Sequence, residues 1–116
     1  MTIETDHVAI VAAATDYIEG WLTGDAERMA RALHPDLVKR EVQPDFSVGT
    51  LTRDQMVEFT EAGHGRELAR SFEVTVLDVY RDIAAVRVES SVYLDYLQVA
   101  RFEDGWKLLN VLWQAV

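Results

Sequence analysis

Tyr96-Leu-Gln-Val-Ala-Arg-Phe-Glu-Asp-Gly-Trp-Lys-Leu-Leu-Asn-Val-Leu-Trp113 decides the fold class of this chain. Two apolar-rich runs flank Glu103-Asp104-Gly105, and an Asp-Gly pair between such runs favours a tight hairpin. The run after the turn carries Leu109, Val111 and Trp113 on one face and Trp106, Leu108 and Leu112 on the other. A strand apolar on both faces needs cover on both. Helices supply one side, and the other predicts a homodimer through the outer sheet face.

Upstream of the hairpin, residues 86 to 102 read as one long strand. Val86, Val88, Ser90, Val92, Leu94, Tyr96, Gln98, Ala100 and Phe102 share a face, while Arg87, Glu89, Ser91, Tyr93, Asp95, Leu97, Val99 and Arg101 share the other. On that reading Gln98 points into the domain, and Tyr93 and Asp95 belong to the outer face. Arg81-Asp82 forms a turn. Before it, Phe72, Val74 and Val76 alternate with Glu73 and Thr75 until the parity slips at Val76-Leu77, which predicts a bulge.

The N-terminal half is helical. Residues 6 to 23 form a helix with Asp6 as its expected N-cap and apolar residues around most of its circumference, so it is embedded rather than laid on the surface. Gly24 stops it, Asp25 caps a shorter helix through Leu33, and Pro35 disfavours helix at His34. Residues 37 to 50 look extended around a turn at Pro44-Asp45. Thr52-Arg53-Asp54-Gln55 is a capping box that opens a third helix with Met56, Val57 and Phe59, closed by Gly63 and Gly65. Helices first and consecutive strands after give an α+β fold: three N-terminal helices packed on one face of a curved, mostly antiparallel sheet and enclosing a pocket.

The 116 residues fit one domain, 1–116, and a hydrophobic share of 49% supplies a core without disulfides or a structural metal. Cysteine is absent, which excludes disulfides, thiolate catalysis and Cys-ligated zinc. The net charge of −9 argues against nucleic acid and anionic lipid as partners, since both reward clustered Lys and Arg. Residues 1 to 7 lack the features of a signal peptide, and no window approaches a membrane span, so a cytoplasmic location is expected. His7, His34 and His64 are far apart, and no glycine-rich phosphate loop or Gly-x-Ser-x-Gly elbow occurs, so neither a metal nor a cofactor is expected.

Three stretches resemble the nuclear transport factor 2-like fold, also described as cystatin-like: Tyr17-Ile-Glu-Gly-Trp-Leu-Thr-Gly-Asp25, Leu33-His-Pro-Asp-Leu-Val-Lys-Arg40 and the 96–113 hairpin quoted above. The last two are most similar to the branch called putative lumazine-binding proteins. The resemblance spans nearly the whole chain and implies fold rather than chemistry: three N-terminal helices packed on a strongly curved, mostly antiparallel sheet that forms a cone with an internal pocket. Tyr17, Gly24 and Asp25 also resemble ketosteroid isomerases, which set a base carboxylate beside an oxyanion hole of tyrosine and protonated acid. That comparison implies a general base at Glu41 and places Gln98 where the isomerases carry the acid. Gln98 departs from the pattern, because an amide donates a hydrogen bond but not a proton.

These residues each carry two readings. Gln98 is either a core amide satisfied by its neighbours or a donor aimed at a ligand oxygen. Tyr17 is either a core phenol or a donor at the cavity wall. Glu41 is either a solvated strand residue or a base made stronger by an apolar cavity. His34 reads first as a cationic cap on the second helix's C-terminus, and second as a proton shuttle at the cone mouth. Trp21, Met56, Phe59 and Trp113 are core residues that would also line a ligand site at the mouth. The expected function is a domain binding a small apolar or aromatic molecule. An isomerase-, dehydratase- or cyclase-like enzyme using Glu41, Tyr17 and Gln98 is the alternative, and a dimeric scaffold whose cone is filled by its own side chains is the third reading.

Overall fold

The computed structural model describes residues 3–116, with side chains from Thr5 onward. Helix α1 spans Ile3–Thr23, α2 Ala26–Ala32, and α3 Arg53–Glu61. The strands are β1 Leu33–Val42, β2 Val48–Thr52, β3 Phe72–Tyr80, β4 Ile83–Ser90, β5 Tyr93–Phe102 and β6 Gly105–Ala115. They form one sheet in the order β2-β1-β6-β5-β4-β3. Only β1 and β6 run parallel; the other neighbours are antiparallel, as the hairpin chemistry requires.

The expected caps account for two helix starts. Asp25 accepts from the Arg28 N–H at 3.1 Å, and Thr52 and Gln55 form the reciprocal box at α3. Between α1 and α2 the chain turns at Gly24, whose φ of 74° is one that glycine adopts without strain. Asp6 is not a cap. It lies within α1, and its carboxylate pairs with Arg101 of β5 at 3.5 Å. Helix α2 ends at Ala32, and the chain passes directly into β1. Arg53 donates to the carbonyls of Ala30 and Leu33, and Lys107 to that of Arg31 at 2.7 Å, so the last turn of α2 is satisfied by these cations.

The core lies between α1 and the inner sheet face. Ile10, Ala14, Tyr17 and Ile18 of α1 pack with Val86 and Val88 of β4, Leu97 and Val99 of β5, and Leu108 and Val111 of β6. Each such large side chain contributes roughly 1.5–3 kcal/mol by leaving water, which outweighs any single surface ion pair.

Two strand assignments differ from the sequence reading, and they reorient the interior. The stretch 86–102 is not one strand. It turns at Ser91-Val92, where the Ser90 hydroxyl accepts from the N–H groups of Val92 (3.3 Å) and Tyr93 (3.1 Å). A two-residue turn swaps the inward parity from even to odd, so Val88 now pairs with Asp95 and Val86 with Leu97. In β6 the register shifts at Leu109: Leu108 pairs with Val99 and Asn110 with Gln98. That bulge turns Trp106, Leu108, Val111 and Trp113 to the same inner side and leaves Leu112 about half exposed outside. The bulge expected at Val76-Leu77 is present between Val76 and Asp78.

Candidate active site under the first helix

Strand β1 alternates, and its inward residues include Leu37 and Lys39. Lys39 is therefore carried under α1, where it is 7% exposed. The turn at Ser91-Val92 brings Asp95 to the same place from β5, at 3% exposure, and Tyr17 reaches it from α1 at 2%. The three form a directional chain. Lys39 Nζ donates to Tyr17 Oη at 2.7 Å, and Tyr17 Oη donates to Asp95 Oδ2 at 2.5 Å. Aromatic faces surround the ammonium, with ring centroids of Tyr17, Trp113 and Trp21 at 5.1, 5.1 and 5.6 Å. Trp21 Nε1 donates to Tyr93 Oη at 3.2 Å, and Tyr93 meets Trp113 edge-on at 5.4 Å.

Next to this chain is a cavity of about 80 Å³ lined by Tyr17, Trp21, Lys39, Met56, Asp95 and Trp113, with Ile18, Leu51 and Tyr93 completing its wall. Asp95 Oδ1 is buried and has no hydrogen-bond partner. Lys39 makes one hydrogen bond with its three available hydrogens. A buried acceptor and unused buried donors beside the same space are what a polar ligand would satisfy. Larger grooves open on the outer sheet face, one of them beside Arg40, Tyr96, Gln98 and Asn110, but their polar groups reach solvent.

Burial draws the Lys39 ammonium below its ordinary value, against the opposing pull of the Asp95 and Glu41 charges. Burial likewise raises the Asp95 carboxyl, partly offset by Lys39 and by the Tyr17 hydrogen bond. The Tyr17 phenol is pushed well up by burial and then by the Asp95 charge, so it is a neutral donor throughout the physiological range. Both ends of the chain are thus biased toward their uncharged forms, with a tyrosine able to relay a proton between them.

Of the expected site residues, Tyr17, Trp21, Met56 and Trp113 come together at the cavity. Gln98 does not. It is exposed on the outer face, because the turn at Ser91-Val92 reverses its side of the sheet. Glu41 shares the Lys39 side of β1 and acts on Lys39 through its charge, yet it is not among the lining residues. The His34 ring meets Phe102 at a tilt with centroids 4.4 Å apart, and its Nδ1 accepts from the Asp36 N–H at 3.0 Å. The carbonyls at the end of α2, which it was expected to cap, are instead taken by Arg53 and Lys107. Phe59 stacks on His64 at 4.9 Å, away from the cavity. Lys39 and Asp95 escaped the sequence reading. Strict alternation from Leu37 marks Lys39 as inward, and Ser90-Ser91 in an implausibly long strand marks the turn that brings in Asp95. Among the described residues no group of three or more His, Asp or Glu could hold a metal, and no helix is long and apolar enough to cross a membrane.

Comparison with known proteins places the architecture. The NTF2-like protein of unknown function from Silicibacter pomeroyi DSS-3 superposes with a TM-score of 0.82 at 18% identity, covering 100% of both chains. The NTF2-like protein of unknown function from Shewanella baltica OS155 gives 0.82 at 14% identity, covering 100% of this chain and 98% of that one. The ketosteroid isomerase-like protein from Erwinia carotovora atroseptica SCRI1043 gives 0.71 at 16% identity over 94% and 95%. At these identities the likeness establishes the fold, and the resemblance read from the sequence holds at that level. No curated protein matches the chain by sequence. A family model matches residues 5–114, nearly the whole chain, and the chain belongs to the family described as "Putative lumazine-binding".

Proposed function

We propose that this domain binds a small molecule in the cavity under α1, with Lys39 and Asp95 as its polar anchors. One observation carries the reading: Asp95 Oδ1 is buried without a partner beside a cavity into which Lys39 also brings unused donors. A group with a donor next to an acceptor, such as an amide edge, would give its N–H to Asp95 and take a hydrogen bond from Lys39. Trp21, Tyr93 and Trp113 supply flat apolar walls around it. The family description names lumazine, a bicyclic lactam that presents such an edge. Pockets for drug-sized ligands run to about 300–1,000 Å³, so the cavity of about 80 Å³ takes a single small group unless Trp21 swings out.

The filled-cone reading draws support from that same small volume, which is walled by the large side chains of Trp21, Trp113 and Met56. The partner expected of the outer face, a second copy, is supported by Tyr96 and Leu112. They are 48% and 49% exposed and paired across β5 and β6.

A titration with small amides and lactams, followed by NMR of the three indole N–H groups, tests the binding reading. Trp21 and Trp113 should shift, Trp106 should not, and Asp95→Asn should remove the response while Gln98→Ala retains it. A response that survives Asp95→Asn, or none to any member of the series, defeats the assignment.

A further inference from the structure

Of the eleven basic side chains, nine are arginines and only Lys39 and Lys107 are lysines. Arginine is the usual choice for a buried cation flanked by aromatic rings, because its guanidinium is weakly hydrated and never loses its proton. This chain uses a lysine there. What lysine adds at such a site is the capacity to become a neutral amine, and hence a nucleophile. The two short hydrogen bonds from Lys39 through Tyr17 to Asp95 are the route for that change. One concerted shift along them turns ammonium and carboxylate into amine and carboxylic acid and leaves the phenol as it was. Burial lowers Lys39 and raises Asp95, which narrows the gap between those two states.

We propose that Lys39 forms a reversible imine with a short, neutral aldehyde or ketone admitted to the cavity, an inference that rests on this cavity being the ligand site. Asp95 takes the ammonium proton through Tyr17. The Nζ lone pair then attacks the carbonyl carbon, and the carbonyl π pair moves to oxygen, which takes a proton from nitrogen to give a neutral carbinolamine. The Asp95 proton returns through Tyr17 to that hydroxyl, the C–O bond breaks, and water leaves. The iminium carries its charge where the ammonium stood, among the rings of Tyr17, Trp21 and Trp113, with Asp95 again a carboxylate. The net change is ammonium plus carbonyl to iminium plus water. Size and charge select the substrate class. The cavity of about 80 Å³ lies far below the ~300 Å³ at which pockets for drug-sized ligands begin, and the Asp95 carboxylate disfavours anionic oxo acids.

The test is a short pulse of propanal and cyanoborohydride on the folded chain, followed by peptide mapping. Lys107 is the internal control, held by the Arg31 carbonyl at 2.7 Å and 3.8 Å from Asp104. Lys39 should become propylated faster than Lys107, and Tyr17→Phe should slow Lys39 by about a hundredfold, as loss of positioned acid–base help does, without slowing Lys107. Lys107 modified with Lys39 untouched would overturn the proposal; this arm needs only the unmutated chain. Propionamide has the same skeleton and cannot form an imine. If it shifts the Trp21 and Trp113 indoles while propanal leaves Lys39 unmodified, the imine fails and the ligand site stands. If neither reagent acts there, both fail.

Discussion

Replacing Lys39 with methionine isolates the buried chain of charges. Methionine keeps the unbranched stem as far as Cε and removes the ammonium, leaving Asp95 at 3% exposure with only the Tyr17 hydroxyl for company. Breaking a buried pair by removing one partner costs about 3–5 kcal/mol. The low end applies here, about 3 kcal/mol, because Tyr17 still bonds Asp95. At roughly 4 °C per kcal/mol for a domain of this size, the midpoint should fall by about 12 °C at neutral pH. The sign with pH follows from Asp95. Its folded value is raised above the ordinary 3.8, so the folded chain holds that proton where the unfolded chain has released it, and stability falls as pH rises through the window. Removing Lys39 takes away the charge that offsets the rise, so the window widens and the cost of Lys39→Met should shrink as pH falls toward the ordinary 3.8 and grow as pH rises above it. Lys39 contributes oppositely at the alkaline end. Its value is lowered from 10.5, so the unmutated chain gains stability as pH climbs from that lowered value to 10.5. Thermal unfolding reads the midpoint and urea unfolding the free energy, each at several pH values and followed by tryptophan fluorescence. The triple variant Tyr17→Phe, Lys39→Met, Asp95→Leu removes every member together and should lie within about 1 kcal/mol of the parent or above it. A Lys39→Met cost below about 1 kcal/mol and flat with pH would refute a coupled Lys39–Asp95 pair.

Three other outcomes are expected. A Cβ at Gly65 would run into the Trp21 indole, so Gly65→Ala should cost about 1–3 kcal/mol by overpacking and shift the tryptophan emission; unchanged emission and midpoint would contradict the packing of that loop on Trp21. Thr52→Ala removes the hydroxyl that accepts from the Gln55 N–H and should cost about 1 kcal/mol, measured by thermal unfolding, with no change in ligand response. Leu112→Arg places a second cation beside Arg40, its parallel neighbour on the outer face. It should convert a dimer at micromolar concentration into a monomer by light scattering, and an unmutated chain that is itself monomeric there would defeat the proposed interface.

How far the sequence discloses this molecule turns on turns. The caps at Asp25 and Thr52, the Gly24 break, the bulge after Val76 and the hairpin at Glu103-Asp104 all follow from local chemistry, and each is found. Together they carry the α+β order of helices and strands. The candidate site fails on one tight turn of weak signal. Ser91-Val92 has no Gly, Asn or Asp, and the residues around it alternate well enough to pass for a continuing strand. Because side-chain period in a strand is two, that single unrecognised turn exchanges the inside and outside of every residue from Tyr93 to Phe102. A continuous strand puts Gln98 inward and Asp95 outward, the reverse of the structure. Lys39 is hidden for a different reason. A lysine is seldom buried, so alternation from Leu37 through Lys39 would ordinarily be read as a fault in the pattern rather than as a buried charge. Only the arrival of Tyr17, Trp21, Trp113 and Asp95 from three other elements makes the position tenable. Partners drawn from α1, β5 and β6 are long-range facts that no window of β1 contains. A lone inward lysine in an otherwise alternating strand is thus a question put to the rest of the fold, and here the answer is a carboxylate reached through a tyrosine.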